Sequence, residues 1–171
     1  MPFISQTKRR VPFNPYQPSE WRVQNATNHL MQPSISFDYI GAAAAGQGVS
    51  MYDIRLQGNA TQLKAANDLV LASSGLTRIT FRIIWSGYEH VEWCRTINVV
   101  SETGVPITRL GLAIQVASSF AHWTEKAQYV KPTSSDWMVS PACVQFRHMY
   151  LVSLVNTFEN VWQADVALDV V

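Results

Sequence analysis

Charge is scarce in this 171-residue chain and almost cancels: 13 Lys and Arg stand against 12 Asp and Glu, a formal charge of +1, and charged residues make up only 15% of the whole. That balance argues against a general nucleic-acid coat or an anionic membrane surface as partner, both of which select a basic excess. The one basic cluster, Lys8-Arg9-Arg10, is too short for a polybasic arm and reads as a solvated end able to touch a phosphate. Cysteine is equally scarce. Cys94 and Cys143 are too few for a disulfide framework, and each is expected reduced in the interior. No window approaches the roughly 18 consecutive apolar residues of a membrane span, and Met1 to Arg10 contains no apolar signal core. A cytoplasmic or nuclear setting follows as the expectation, in which Asn25-Ala26-Thr27 and Asn59-Ala60-Thr61 are chance matches to the glycosylation acceptor.

What the chain has in quantity is apolar surface. At 47% hydrophobic residues it can build a sizeable single core, and a long disordered protein is excluded. The distribution is uneven. Residues 1–50 hold five of the eight prolines, Pro2, Pro12, Pro15, Pro18 and Pro33, and no sustained apolar period. They read as an extended arm carrying large anchors, Phe3, Phe13, Tyr16, Trp21, Phe37 and Tyr39, that can pack on their own body or on a neighbouring subunit. Gly41-Ala42-Ala43-Ala44-Ala45-Gly46-Gln47-Gly48 reads as a Gly/Ala hinge. The arm carries a net +2, from Lys8, Arg9, Arg10 and Arg22 against Glu20 and Asp38, which leaves −1 for the body.

The body, residues 51–171, is expected to be a single α+β domain. Met51 to Leu56 suits a short strand, and Thr61 to Ala72 places Leu63, Ala66, Leu69 and Val70 at helical spacing. From Thr77 the period becomes two. Ile79, Phe81, Ile83 and Trp85 alternate with Arg78, Thr80 and Arg82, and a second run from His90 to Val100 puts Val91, Trp93, Ile97 and Val99 on one face. Paired through Ser86-Gly87-Tyr88, they set Phe81 opposite Trp93, Ile83 opposite Val91 and Arg82 opposite Glu92. Residues 108–129 form the clearest helix, with Thr108 as N-cap and Leu110, Ala113, Ile114, Ala117, Phe120, Ala121 and Ala127 as its stripe. Val144 to Val155 is apolar on both faces and reads as a central strand; Asn156 to Asn160 is a turn; Trp162 to Val170 alternates with acids on a wet face. The sum is an antiparallel or mixed sheet of two hairpins with one long helix (108–129) packed across it and an extended N-terminal arm.

The chemistry-bearing motifs are incomplete. His90-Val91-Glu92 and Pro141-Ala142-Cys143 are similar to the signature of zinc nucleoside deaminases, but the second cysteine of that zinc shell is missing, since Val144, Gln145 and Phe146 follow Cys143. His90, Glu92 and Cys94 alternate, so a strand would aim all three at one side as ligands or as an acid–base group with a thiol, or simply as a solvent face with Arg82 paired to Glu92. With His148 they make a possible polar pocket; His122 and His148 also suit amphipathic packing, and His29 in the arm supports nothing specific. Gly46-Gln47-Gly48 lacks the third glycine of a dinucleotide loop. No cofactor and no metal is indicated. Six tryptophans divide into Trp85, Trp93 and Trp162 on core faces and Trp21, Trp123 and Trp137 near the surface; the last three, with Phe13 and Tyr16, are candidate interaction anchors.

The run Ile84-Trp85-Ser86-Gly87-Tyr88-Glu89-His90-Val91-Glu92-Trp93-Cys94-Arg95, the helix from Ile107-Thr108-Arg109 through Phe120 to Glu125-Lys126, and the ending Asn160-Val161-Trp162-Gln163-Ala164-Asp165 resemble small proteins of mushroom-forming (basidiomycete) fungi. The resemblance covers residues 76–170 and leaves the arm unmatched. It implies a eukaryotic, intracellular setting and transfers no activity. The hairpin–helix–strand order is also similar to the β-grasp arrangement, an analogy of fold that assigns no role. Three functional readings follow: a non-enzymatic interaction or self-assembly module that uses its arm on a protein partner or a second copy; a small-molecule-binding protein or enzyme with a pocket between helix and sheet; and a viral-type coat subunit.

Overall fold

A computed structural model describes residues 8–27 and 30–169; Phe3 and His29 lie outside the described residues. The chain is α+β, with an open mixed sheet of seven strands and three helices among the described residues. The sheet is built around the C-terminal hairpin of β6 (Met149–Phe158) and β7 (Val161–Asp169). β7 also pairs in parallel with β4 (Arg78–Arg82), which pairs antiparallel with β5 (Cys94–Asn98). The arm supplies the remaining strands. β1 (Lys8–Arg10) pairs with the end of β7, while β2 (Ile35–Ser36) and β3 (Val49–Ser50) pair with β6. Strands from residues 8–50 thus border the hairpin on both sides. Val11, Ile35, Phe37 and Val49 are buried in the common core.

The long helix α3, Arg109–Ala127, opens where its sequence says it should: Thr108 caps it, its Oγ1 accepting from the Gly111 N–H at 3.0 Å. It packs on the sheet through Phe120, whose ring lies 5.9 Å from Phe81 and 6.3 Å from Trp85. The buried face is wider than the predicted stripe, adding Leu112, Val116, Ser119, Trp123 and Thr124. Trp123 is therefore core, not surface. It is 2% exposed, between Trp85 and Tyr88, because its helical position is three residues beyond Phe120.

Two expected elements differ. Residues 51–57 form helix α2 (Met51–Gln57), not a strand: Ser50 caps it by accepting from Asp53 N–H, Met51 and Ile54 are buried three apart, and Gly58 ends it at φ +52°. Residues 61–72 are turns, not a helix, and Ala65 has φ +53°. Their carbonyls have another task. Asp68 O accepts from Arg109 N–H (2.8 Å) and Ala66 O from Leu110 N–H (3.0 Å), satisfying the otherwise orphaned first donors of α3.

The β4–β5 hairpin is shifted by two residues. Phe81 faces Arg95, Arg82 faces Cys94 and Ile79 faces Ile97. A shift of two keeps every side chain on its predicted face. It arises because Tyr88 folds inward, 1% exposed, with its hydroxyl accepting from Val139 N–H, and so lengthens the connection. β7 is flanked on both sides, and its Trp162, Gln163, Val166, Ala167 and Leu168 are all buried rather than half-exposed. Both cysteines are exposed, against expectation: Cys94 lies on the sheet's border strand β5, and Cys143 in a turn closed by its own N–H on Ser140 O.

Gly48 (φ +78°) lies against β6, where an added Cβ would come within 2.9 Å of Leu151 O; Gly41 (φ +76°) meets nothing. Gly41→Ala should cost about 1 kcal/mol through backbone strain alone, and Gly48→Ala about 3 kcal/mol because overpacking adds to it. Urea unfolding of the two variants measures the difference, and equal costs would remove the close approach from the account.

Candidate functional site

The arm crosses the hairpin with few backbone pairs of its own, so its polar groups must find partners in side chains. Two buried amides provide them. Gln163, 3% exposed in the middle of β7, accepts from Tyr16 N–H at 2.7 Å and donates to Asn14 O at 2.8 Å. Asn156, near the end of β6, accepts from Gln32 N–H at 3.0 Å while its Nδ2 donates to the carbonyls of Glu159 (2.7 Å) and Val161 (3.0 Å). Both ends of each amide are satisfied, which is what a buried polar group requires.

Charged groups complete the seat. Arg10 pairs with Asp165. Arg22 Nη1 donates to the Tyr16 hydroxyl at 2.6 Å and its Nη2 lies 3.9 Å from Glu159, whose carboxylate also accepts from Thr27 N–H. The guanidinium of Arg82 sits 4.3 Å above the Tyr16 ring and pairs with Glu92 at 2.6 Å. At the far end the Asp38 carboxylate accepts from the N–H groups of Gly46, Gln47 and Gly48, so the last three residues of the expected hinge are a bonded loop. Tyr39 donates to Asp53 (2.8 Å), and burial pushes its hydroxyl pKa up.

Between these fixings, residues 19–27 pass the β6–β7 turn, with Thr27 N–H and Arg22 at Glu159. The short helix α1 (Glu20–Gln24), capped by Ser19, buries none of its residues. Trp21 is 71% exposed and Leu30 86%, with Val23 and Met31 beside them in the sequence also open.

The sequence-derived candidates therefore separate. Tyr16 and Phe13 belong to the arm seat, Phe13 at its rim; Trp21 projects; Trp123 is core; and Trp137 is half-buried, its carbonyl accepting from Trp85 Nε1 at 2.9 Å. Glu92 reaches Arg82 through a side-chain ion pair, while His90 and Cys94 are exposed on the β4–β5 side of the sheet. His148 precedes β6, two strands away from β4, so the four residues of the possible polar pocket are not brought together. The cavity between Phe120 and the sheet measures about 20 Å³, room for about one water. No protein-family model, curated protein or solved structure matches the chain. Gln163, Asn156, Asp38 and Glu159, which hold the arm, were not singled out by sequence. The available signal was a neutral amide inside an apolar strand, a residue type that enters a core only with partners.

His148 Nδ1 accepts from Gln145 N–H at 3.0 Å, and its pKa is lowered, chiefly by burial and then by Arg147, with Asp169 opposing.

Two expectations follow. Gln163→Ala should lower stability by about 1–3 kcal/mol and speed hydrogen exchange at the Tyr16 amide more than at amides of α3; uniform acceleration would mean that Gln163 supports the core rather than the arm. For His148, the fold favours the neutral ring, so its stabilisation is complete above pH 6.5, the ordinary value, and is lost as pH falls through the lowered folded value. His148→Gln should flatten that part of the stability–pH curve, and an unchanged curve would count against it.

Proposed function

We propose that the chain is a non-enzymatic interaction and self-assembly module whose N-terminal arm is the exchangeable element. The observation that carries this reading is the arm's mode of attachment: residues 8–37 add strands to both sides of the β6–β7 hairpin and are fixed by a few side-chain clamps. Every copy carries the same seat. An arm that leaves its own seat can refill that of a second copy with identical bonds, so the exchange gains or loses little besides the entropy of association. Gly41 to Ala45, all exposed, are the pivot. Trp21, Val23, Leu30 and Met31 offer apolar surface on the same arm, which a neighbouring copy would cover. A coat-type subunit is the same device repeated to a closed shell.

Arg10 and Ala167 are direct partners across β1 and β7, a separation of about 5 Å that a disulfide can bridge. In a Cys94→Ser/Cys143→Ser background, Arg10→Cys/Ala167→Cys protein refolded at rising concentration should give covalent dimers or larger rings on non-reducing gels, and light scattering separates these from a shell of many copies. Closed monomer alone at every concentration would overturn arm exchange.

A further inference from the structure

A groove of about 550 Å³ opens at the end of the sheet where β1, β7 and the loop before β6 meet, a volume in the usual range of small-ligand sites. Its floor is apolar, with Leu168 and Val144 buried. Its walls are cationic. Arg9 pairs in the sheet with Leu168, and Leu168 with Met149, so Arg9 and Arg147 flank Leu168 from its two sides. The backbones of Arg9 and Met149 stand about 10 Å apart across Leu168, and Arg147, two residues before Met149, lines the same groove.

Neither guanidinium is in an ion pair among the described residues, although Arg10, Arg22, Arg82 and Arg109 all are. Both are nevertheless held in place. Arg147 Nε donates to Gln145 Oε1 at 3.1 Å, which fixes its plane and leaves its terminal nitrogens unused; Arg9 lies 4.9 Å over the Trp137 ring. His148 accepts at Nδ1 from Gln145 N–H, so its neutral form carries the proton on Nε2 and adds a third donor. Asp136 is the one carboxylate in the lining among the described residues.

We infer that this groove binds a small organic phosphate, its phosphoryl oxygens shared between Arg9 and Arg147 and its apolar body lying against Trp137 and the floor. Phosphate is favoured over carboxylate because two separate guanidiniums face the groove. A carboxylate offers two oxygens and one charge, enough for one planar fork; a phosphate offers three terminal oxygens and close to two charges. The site does not depend on arm exchange, since Arg9 reaches it whether its own or a neighbour's arm fills the seat.

Cys143 lines the groove and is exposed, and Cys94, also exposed, is on the border strand β5, so the two thiols are reporter and internal control. The experiment follows iodoacetamide alkylation of each by mass spectrometry in the full chain, with phenyl phosphate as probe and phenol and benzoate as comparisons. At a probe concentration about ten times a Kd of about 1 mM, phenyl phosphate should slow Cys143 alkylation about tenfold and leave Cys94 unchanged. Phenol should have no effect and benzoate a much weaker one. Arg147→Gln and Arg9→Gln, both at exposed positions, should abolish the protection without altering the melting curve. An unchanged Cys143 rate, equal protection by phenol or benzoate, or protection surviving in Arg147→Gln would each overturn the inference.

Discussion

The constraint on which the rest of the structure depends is the unfilled hydrogen bonding along the sides of the C-terminal hairpin. β6 and β7 satisfy each other, but each has a second row of N–H and C=O groups, and much of both strands is buried. Buried backbone groups without partners cost about as much as a lost hydrogen bond each. β4 answers this for the first part of β7 only, at Val161 to Gln163. The remainder of β7 and the outer side of β6 are closed by short strands from the opposite end of the chain. The arm is thus part of the sheet, and Phe37, fully buried, is as much a core residue as Trp162.

Short strands alone hold weakly, and the clamps make up the difference. Gln163 and Asn156 reach from the hairpin to arm backbone groups, and Asp38 gathers three successive N–H groups of the loop that returns the chain to β3. Each clamp is a side chain that addresses backbone, so it is indifferent to the identity of most arm residues. The arm sequence is correspondingly free to carry prolines, which cannot donate to a ladder, and exposed aromatics such as Trp21.

Local signals were legible in the sequence and remote ones were not. Thr108 and the spacing from Leu110 to Ala127 placed α3 to within two residues, because capping and helical period are written within a few positions of where they act. Alternation placed Ile79, Phe81 and Ile97 on the core face even though the pairing register was shifted by two residues, since period two is insensitive to an even shift. Where two local readings competed, tertiary bonds decided: Ala65 to Asp68 gave up helix to cap α3, and Met51 to Gln57 took it up behind Ser50. The candidate pocket failed for a similar reason. His90, Glu92 and Cys94 share a neighbourhood in sequence, but His148 joins it only through strand order, which no periodicity encodes. The seat was hidden because Gln163 and Asn14 are 149 residues apart.

That separation has a consequence for the order of events during synthesis. Residues 8–50 leave the ribosome well before the strands they pair with, 149–169. Domains form as their parts become available, and contacts this distant in sequence are slow to close. Until those strands are made the arm has no seat to occupy, and its apolar anchors wait in solvent beside those of the next chain on the same message. The first seat an arm meets can then belong to whichever copy finishes earlier, so the geometry of the sheet also sets a race between closing alone and closing on a neighbour.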